Sequence, residues 1–157
     1  MTNPAETTWG EPLLTSVKPL VVLDTNVVLD WLIFAEPTVA TLAGAVTGGR
    51  LHWIATAAMR DELAHVLGRG LAAARQADPA AVLDAWDRHA AILPEPSAQG
   101  PRCTDADDQK FIDLAVGAGA RWLVSRDRAV LKVARRAALA GVAVVTPEAL
   151  TLQLSAA

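Results

Sequence analysis

Short apolar runs rich in β-branched residues, separated by stretches with helical patterning, constrain this chain more than any other feature. The runs are Pro19–Asp24, Arg50–Ala55, Arg121–Ser125 and Val142–Val145, with Ile92-Leu93 as a shorter fifth. They are too short for helices, and their apolar residues are contiguous rather than alternating. Strands of that kind are buried on both faces, as in a parallel sheet covered by helices. The intervening segments supply the helices. Val27 to Phe34 opens one, and Pro37 to Val46 forms another, stopped by Gly48-Gly49. Thr56 suits an N-cap for a helix carrying Arg60, Asp61, Glu62 and His65. Asp78-Pro79 starts a helix running to about Ala90. Pro94 to Arg102 is a loop, and Thr104 to Asp108 opens a helix ending at Gly117 or Gly119. Asp127 to Ala140 reads as one helix closed by Gly141, and Thr146-Pro147 caps a short final helix. The alternation predicts an α/β fold: a three-layer α/β/α sandwich around a mostly parallel sheet.

The 157 residues suffice for one domain, expected over residues 19–152, with residues 1–18 as a flexible arm. A hydrophobic share of 52% excludes wholesale disorder. The longest small and apolar run, Ala137 to Val145, has nine residues, whereas a membrane helix needs about 20. No membrane partner is expected. The first fifteen residues hold Glu6 and Glu11, no basic residue and no apolar segment, so they do not read as a secretory signal. Together with a lone Cys103, that makes the cytoplasm the expected location. One Cys and three His exclude a structural zinc site of the usual kind, so a metal here would be a hard cation on carboxylates. The net charge of −3 gives no sign of nucleic-acid binding by bulk charge.

Open parallel sheets bind ligands at the carboxyl ends of their strands. Asp24 closes the first strand and is followed by Thr25-Asn26. Asp127 lies just past the strand Arg121–Ser125, Asp105, Asp107 and Asp108 sit at a helix start, and Glu62 lies about two turns into the helix after the second strand. Taken singly, an acid after a strand is a turn former or a cap, and Glu62 is a surface charge. Taken together, acids at four element ends exceed what capping requires. Carboxylates crowded within a few Å raise each other's pKa, and a divalent hard cation removes that penalty. Mg²⁺ or Mn²⁺ in such a cluster activates water for in-line phosphodiester hydrolysis. No Walker loop, dinucleotide fingerprint or nucleophilic triad competes.

These motifs resemble those of the PIN domain family, a metal-dependent nuclease fold. Val21-Val22-Leu23-Asp24-Thr25-Asn26-Val27 resembles the family's opening motif, and Asp61-Glu62-Leu63 is similar to its helix-borne Glu. Asp108-Gln109-Lys110-Phe111-Ile112-Asp113-Leu114-Ala115 resembles its Asp-headed helix ending in Ala. Leu123-Val124-Ser125-Arg126-Asp127 is similar to its Thr-x-Asp motif with Ser in place of Thr. The resemblance spans about Pro19 to Leu152. It implies that Asp24, Glu62, Asp108 and Asp127 are catalytic and metal-holding, with Asn26 and Ser125 in support and Asp105 nearby. The choice of Asp108 over Asp105 or Asp107 rests on its spacing to Ala115. Where many relatives carry a further acid, this chain has Ala129. The run Asp105-Ala106-Asp107-Asp108-Gln109-Lys110-Phe111 is similar to the branch described as toxin components of toxin–antitoxin pairs.

Residues 121–136 hold Arg121, Arg126, Arg128, Lys132, Arg135 and Arg136 against a single acid, Asp127. On a continuous helix Arg128, Lys132 and Arg135 share one face, which reads either as a phosphate-binding surface beside the acids or as a solvated face. Trp31, Trp53, Trp86 and Trp122 read as core before base-stacking platforms. The expected function is a Mg²⁺/Mn²⁺-dependent endoribonuclease, the toxin of a type II pair with an antitoxin partner. Whether the chain forms a homodimer is left open. The alternatives are a binding module with no nuclease activity and a housekeeping RNA-processing nuclease. Phosphoryl chemistry on a strand-end Asp is disfavoured, because Asn26 stands where a phosphatase of that class has a second Asp and the late strands carry no Lys.

Overall fold

The computed structural model describes residues 18–71 and 76–156, so the expected arm lies almost wholly outside the described residues. The strands are β1 (Leu20–Leu23), β2 (His52–Ala55), β3 (Ala91–Ile92), β4 (Trp122–Val124) and β5 (Ala143–Val145). β1, β2, β4 and β5 each fall inside one of the apolar runs, and β3 overlaps the expected Ile92-Leu93 run only at Ile92, beginning one residue earlier at Ala91. They form one sheet of order β3-β2-β1-β4-β5, parallel at every pairing.

Helices α1 (Thr25–Leu32) and α2 (Ala40–Thr47) connect β1 to β2, and α3 (Ala57–Val66) and α4 (Pro79–His89) connect β2 to β3. The chain then crosses back through α5 (Gln109–Ala118) to β4 and continues outward through α6 (Arg128–Leu131) and α7 (Ala134–Leu139) to β5. Helix α8 (Pro147–Ala156) ends the described chain and packs on α2 and on the 3₁₀ turn Pro37–Val39. Strand order thus reverses between β1 and β4. That reversal opens a crevice at the carboxyl ends of these two strands, where α/β sheets bind ligands.

The local chemistry follows the caps. The Thr56 side chain accepts from Met59 N–H and Asp78 from Ala80 N–H, each closing a helix start. Gly119 takes φ 69° and ends α5, a left-handed position that favours glycine. The sheet is buried: Val21, Val22, Leu123 and Val124 are fully covered, as are Phe111 and Leu42 from the helices. Trp53 and Trp86 meet edge-on at 5.7 Å, and the half-buried Trp31 lies 5.5 Å from Trp53. Trp122 is buried too, its indole N–H donating to Gln153 of α8 at 2.8 Å. These four rings are packing residues.

Two details differ from expectation. The helix over Asp127–Ala140 is two helices, because Val133 N–H bonds to Val130 C=O at 3.1 Å and tightens the turn between them. The helices expected at Pro37 and at Thr104 begin as 3₁₀ turns, Pro37–Val39 and Ala106–Asp108, before becoming regular. Among the described residues no single helix is long and apolar enough to cross a membrane.

Candidate metal centre

Register places the centre. Leu23 pairs with Val124, so Asp24 and Ser125 emerge side by side at the ends of β1 and β4. Asp24 N–H donates to Val124 C=O at 2.9 Å, which extends the ladder by one residue and fixes the Asp24 backbone. The Ser125 hydroxyl, fully buried, donates to Asp24 Oδ2 at 2.6 Å. The same Ser125 oxygen accepts from Asp127 N–H at 2.9 Å. One hydroxyl therefore orients Asp24 and folds the loop that returns Asp127 to the crevice. Asp127 Oδ1 accepts from Ala129 N–H at 2.9 Å as the cap of α6, which leaves its other oxygen uncommitted to the cap.

Asp108 arrives from the opposite side, at the start of α5. Asp105 accepts from Asp107 N–H at 3.0 Å and nucleates the 3₁₀ turn that turns Asp108 inward. The structure brings Asp24, Asp108 and Asp127 together, one carboxylate oxygen from each lying within 4.8 Å of the others. Asp105 is exposed and acts as that cap. Among the described residues no Lys, Arg or His forms an ion pair with any of the three clustered acids.

The electrostatic consequence is protonation. Burial, then the Asp127 carboxyl against it, then the charges of Asp24, Asp127 and Asp105, push Asp108 up to about 8. Asp24 is also raised, first by burial and further by Asp127 and Glu62, while the Ser125 hydrogen bond opposes the rise. Asp108 Oδ2 is buried without a hydrogen-bond partner, and so is Oδ1 of Asn26, two residues after Asp24. Buried acceptors are rarely left unpaired, so an orphaned oxygen on a carboxylate that clusters with two others fits a hard divalent cation. The donor set is all oxygen, which suits Mg²⁺ or Mn²⁺ over softer metals.

Two expected members stand apart. Glu62 does not join the three: its Oε1 lies 2.5 Å from Lys110 Nζ and its Oε2 accepts from the Thr25 hydroxyl at 2.5 Å. Asn26 shows no hydrogen bond to Asp24, and its buried Oδ1, an acceptor, has no partner. The basic residues divide as well. Arg126 is not free: it bonds Asp30 at 2.7 Å, Glu148 at 2.9 Å and Thr38 Oγ1 at 2.6 Å, tying the β4–α6 loop to α1, to α8 and to the 3₁₀ turn at Pro37. Arg128, Lys132 and Arg135 are exposed and form no ion pair among the described residues, and Arg128 and Lys132 line one shallow depression with Leu131. Arg128 lies on α6, Lys132 in the turn after it and Arg135 on α7, so the three do not lie on one continuous helix.

A sequence model of the PIN domain matches residues 20–129, from the first residue of β1 to just past Asp127. The chain belongs to the PIN domain family. Neither curated proteins nor solved structures gave a match. PIN domains are typically metal-dependent nucleases, and the three clustered aspartates lie within the matched region of this one. Sequence reasoning passed over Lys110 and Thr25, the two groups that occupy Glu62. Their signal was adjacency: Thr25 follows Asp24, and Lys110 lies two residues after Asp108.

Proposed function

We propose that this PIN domain is a divalent-metal-dependent endoribonuclease of the cytoplasm and the toxin of a toxin–antitoxin pair. The observation that carries the nuclease reading is the trio Asp24, Asp108 and Asp127 at the strand-order reversal, with no side-chain cation paired to it among the described residues. These three would hold Mg²⁺ or Mn²⁺. When bound, the ion supplies a lowered pKa for its water and a counter-charge for the scissile phosphate. Ser125 keeps Asp24 oriented and ionisable by donating to its Oδ2. Arg128, at the first position of α6 beside Asp127, and the nearby Lys132 and Arg135 would contact backbone phosphates, a sequence-independent role. RNA as substrate and an antitoxin protein as partner rest on the likeness of the segment 105–111 to the toxin branch of the family.

The test is cleavage by the purified full chain. RNA and single-stranded DNA are incubated with Mg²⁺, Mn²⁺ or a chelator, with Asp24→Asn as control. RNA-selective, metal-dependent cutting that the variant loses by at least about 100-fold is the expected result, in line with removal of a metal-holding group. Equal activity in chelator, or in the variant, contradicts the nuclease reading. An acidic or basic small protein encoded beside this chain and co-purifying with it would be the expected antitoxin; toxicity in cells that no neighbouring gene relieves contradicts the pairing.

A further inference from the structure

Glu62 is bound on both oxygens by groups that adjoin the metal-holding aspartates. Thr25, which donates to Oε2, is the residue after Asp24; Lys110, whose Nζ lies 2.5 Å from Oε1, stands two residues after Asp108. Glu62 therefore borders the centre without belonging to it, and its charge still reaches Asp24. Lys110 is fixed from several sides. Its ammonium donates to Asp107 C=O at 2.5 Å, lies 4.9 Å from the centroid of the buried Phe111 ring, and rides on the first turn of α5. The Lys110 side chain is only 24% exposed and that of Glu62 31%, so this pair is partly desolvated and firmer than a surface contact.

We infer that Lys110 is a resident cation at the border of the centre: it neutralises Glu62, withholds it from the ligand set, and limits the protein to one divalent ion, held by Asp24, Asp108 and Asp127. The inference rests on the metal-dependent reading above. Two-metal sites place their ions about 3.5–4 Å apart and need acids for both. Here the fourth acid is already committed to an ammonium and a hydroxyl. For Glu62 to ligate an ion, a charge-assisted bond to Lys110 must break and leave the ammonium without its carboxylate. Lys110 is a positioning residue in this account, acting on metal number through Glu62.

The experiment counts Mn²⁺ bound to the full chain, by electron paramagnetic resonance of the free ion and by calorimetry. The wild type is expected to bind one Mn²⁺ per chain. E62Q is expected to keep that stoichiometry with affinity within about threefold, a difference of under about 0.7 kcal/mol, whereas D108N loses binding. K110M, with folding checked by circular dichroism, is expected to take up a second Mn²⁺, and K110M/E62Q to return to one. K110R keeps the charge and is expected to bind one. Two ions in the wild type, a loss of tenfold or more with E62Q, or a single ion in folded K110M overturns the inference and leaves the nuclease reading standing. If K110M does not fold, the wild-type count and E62Q decide alone. No Mn²⁺ binding by the wild type overturns the metal-dependent reading itself, and this inference with it.

Discussion

Two groups of acids meet in this fold, and they are built on opposite principles. Asp30 and Glu148 meet around the Arg126 guanidinium at 2.7 and 2.9 Å, with Thr38 completing its donors. Asp24, Asp108 and Asp127 meet around nothing with a positive charge among the described side chains. In the first group the cation and its surroundings hold Glu148 below the usual carboxylate range. In the second, burial and mutual repulsion raise Asp24 and Asp108. The balanced group fastens the β4–α6 loop to the rest of the fold. The unbalanced group is costly to assemble, and a cost retained beside the strand-order reversal marks a site for a ligand of opposite charge. The fold thus uses one loop to carry both: Arg126 anchors it, and Ser125 and Asp127 on either side of Arg126 serve the centre.

The largest contrast should come from removing one member of each group. Asp108→Asn removes a carboxyl that must take up a proton on folding at neutral pH. It should raise the melting temperature of metal-free protein at pH 7 and abolish the further rise that Mn²⁺ gives the wild type. Arg126→Ala should do the reverse, because it strands Asp30 and Glu148. A loss of about 2 kcal/mol is expected, which is several °C for a chain of this size, with Mn²⁺ still bound by what remains folded. Melting curves of both variants with and without Mn²⁺ check this. Destabilisation by Asp108→Asn would break the comparison.

The second contrast is in pH. Asp108 is ionised above about 3.8 in the unfolded chain but only above about 8 in the folded one. The unfolded state therefore releases its proton first, and the contribution of Asp108 to stability is most favourable below pH 4. It declines as pH rises toward 8 and is level beyond. Mn²⁺ competes with that same proton, so affinity should rise with pH up to about 8 and binding at pH 7 should release a proton. Calorimetry in buffers of differing ionisation enthalpy measures the release. In Asp108→Asn the decline of metal-free stability over this range should be shallower.

The smallest effect belongs to the exposed basic residues. Neutralising Lys132 and Arg135 together should weaken RNA binding several-fold for all sequences alike and flatten its salt dependence by about two phosphate contacts. Mn²⁺ affinity should be unchanged. If the variant binds RNA normally but loses the antitoxin, the basic residues serve the partner instead.

Most of the frame was legible because apolar runs of four to six residues have few other fates. Asp24, Ser125 and Asp127 were legible because each ends or follows a strand, and parallel register carries strand ends to one edge. Glu62 reads as a fourth member of the centre because its helix follows β2. Its capture by Lys110 joins residues 48 positions apart on α3 and α5, and no local pattern encodes such a pair. The break between α6 and α7 was equally hidden. Neither Gly nor Pro lies between Asp127 and Ala140, and the turn tightens through a backbone bond alone. Arg126 looked like one more basic residue of a cationic run, and only the packing of α1 and α8 against its loop reveals an anchor.

The most direct measurement of the central claim is an anomalous difference map from crystals of the full chain grown with Mn²⁺. The account predicts one strong peak in the crevice between β1 and β4, with carboxylate oxygens of Asp24, Asp108 and Asp127 around it and Glu62 still on Lys110. A map without a peak there, at Mn²⁺ concentrations that saturate binding in solution, would contradict it.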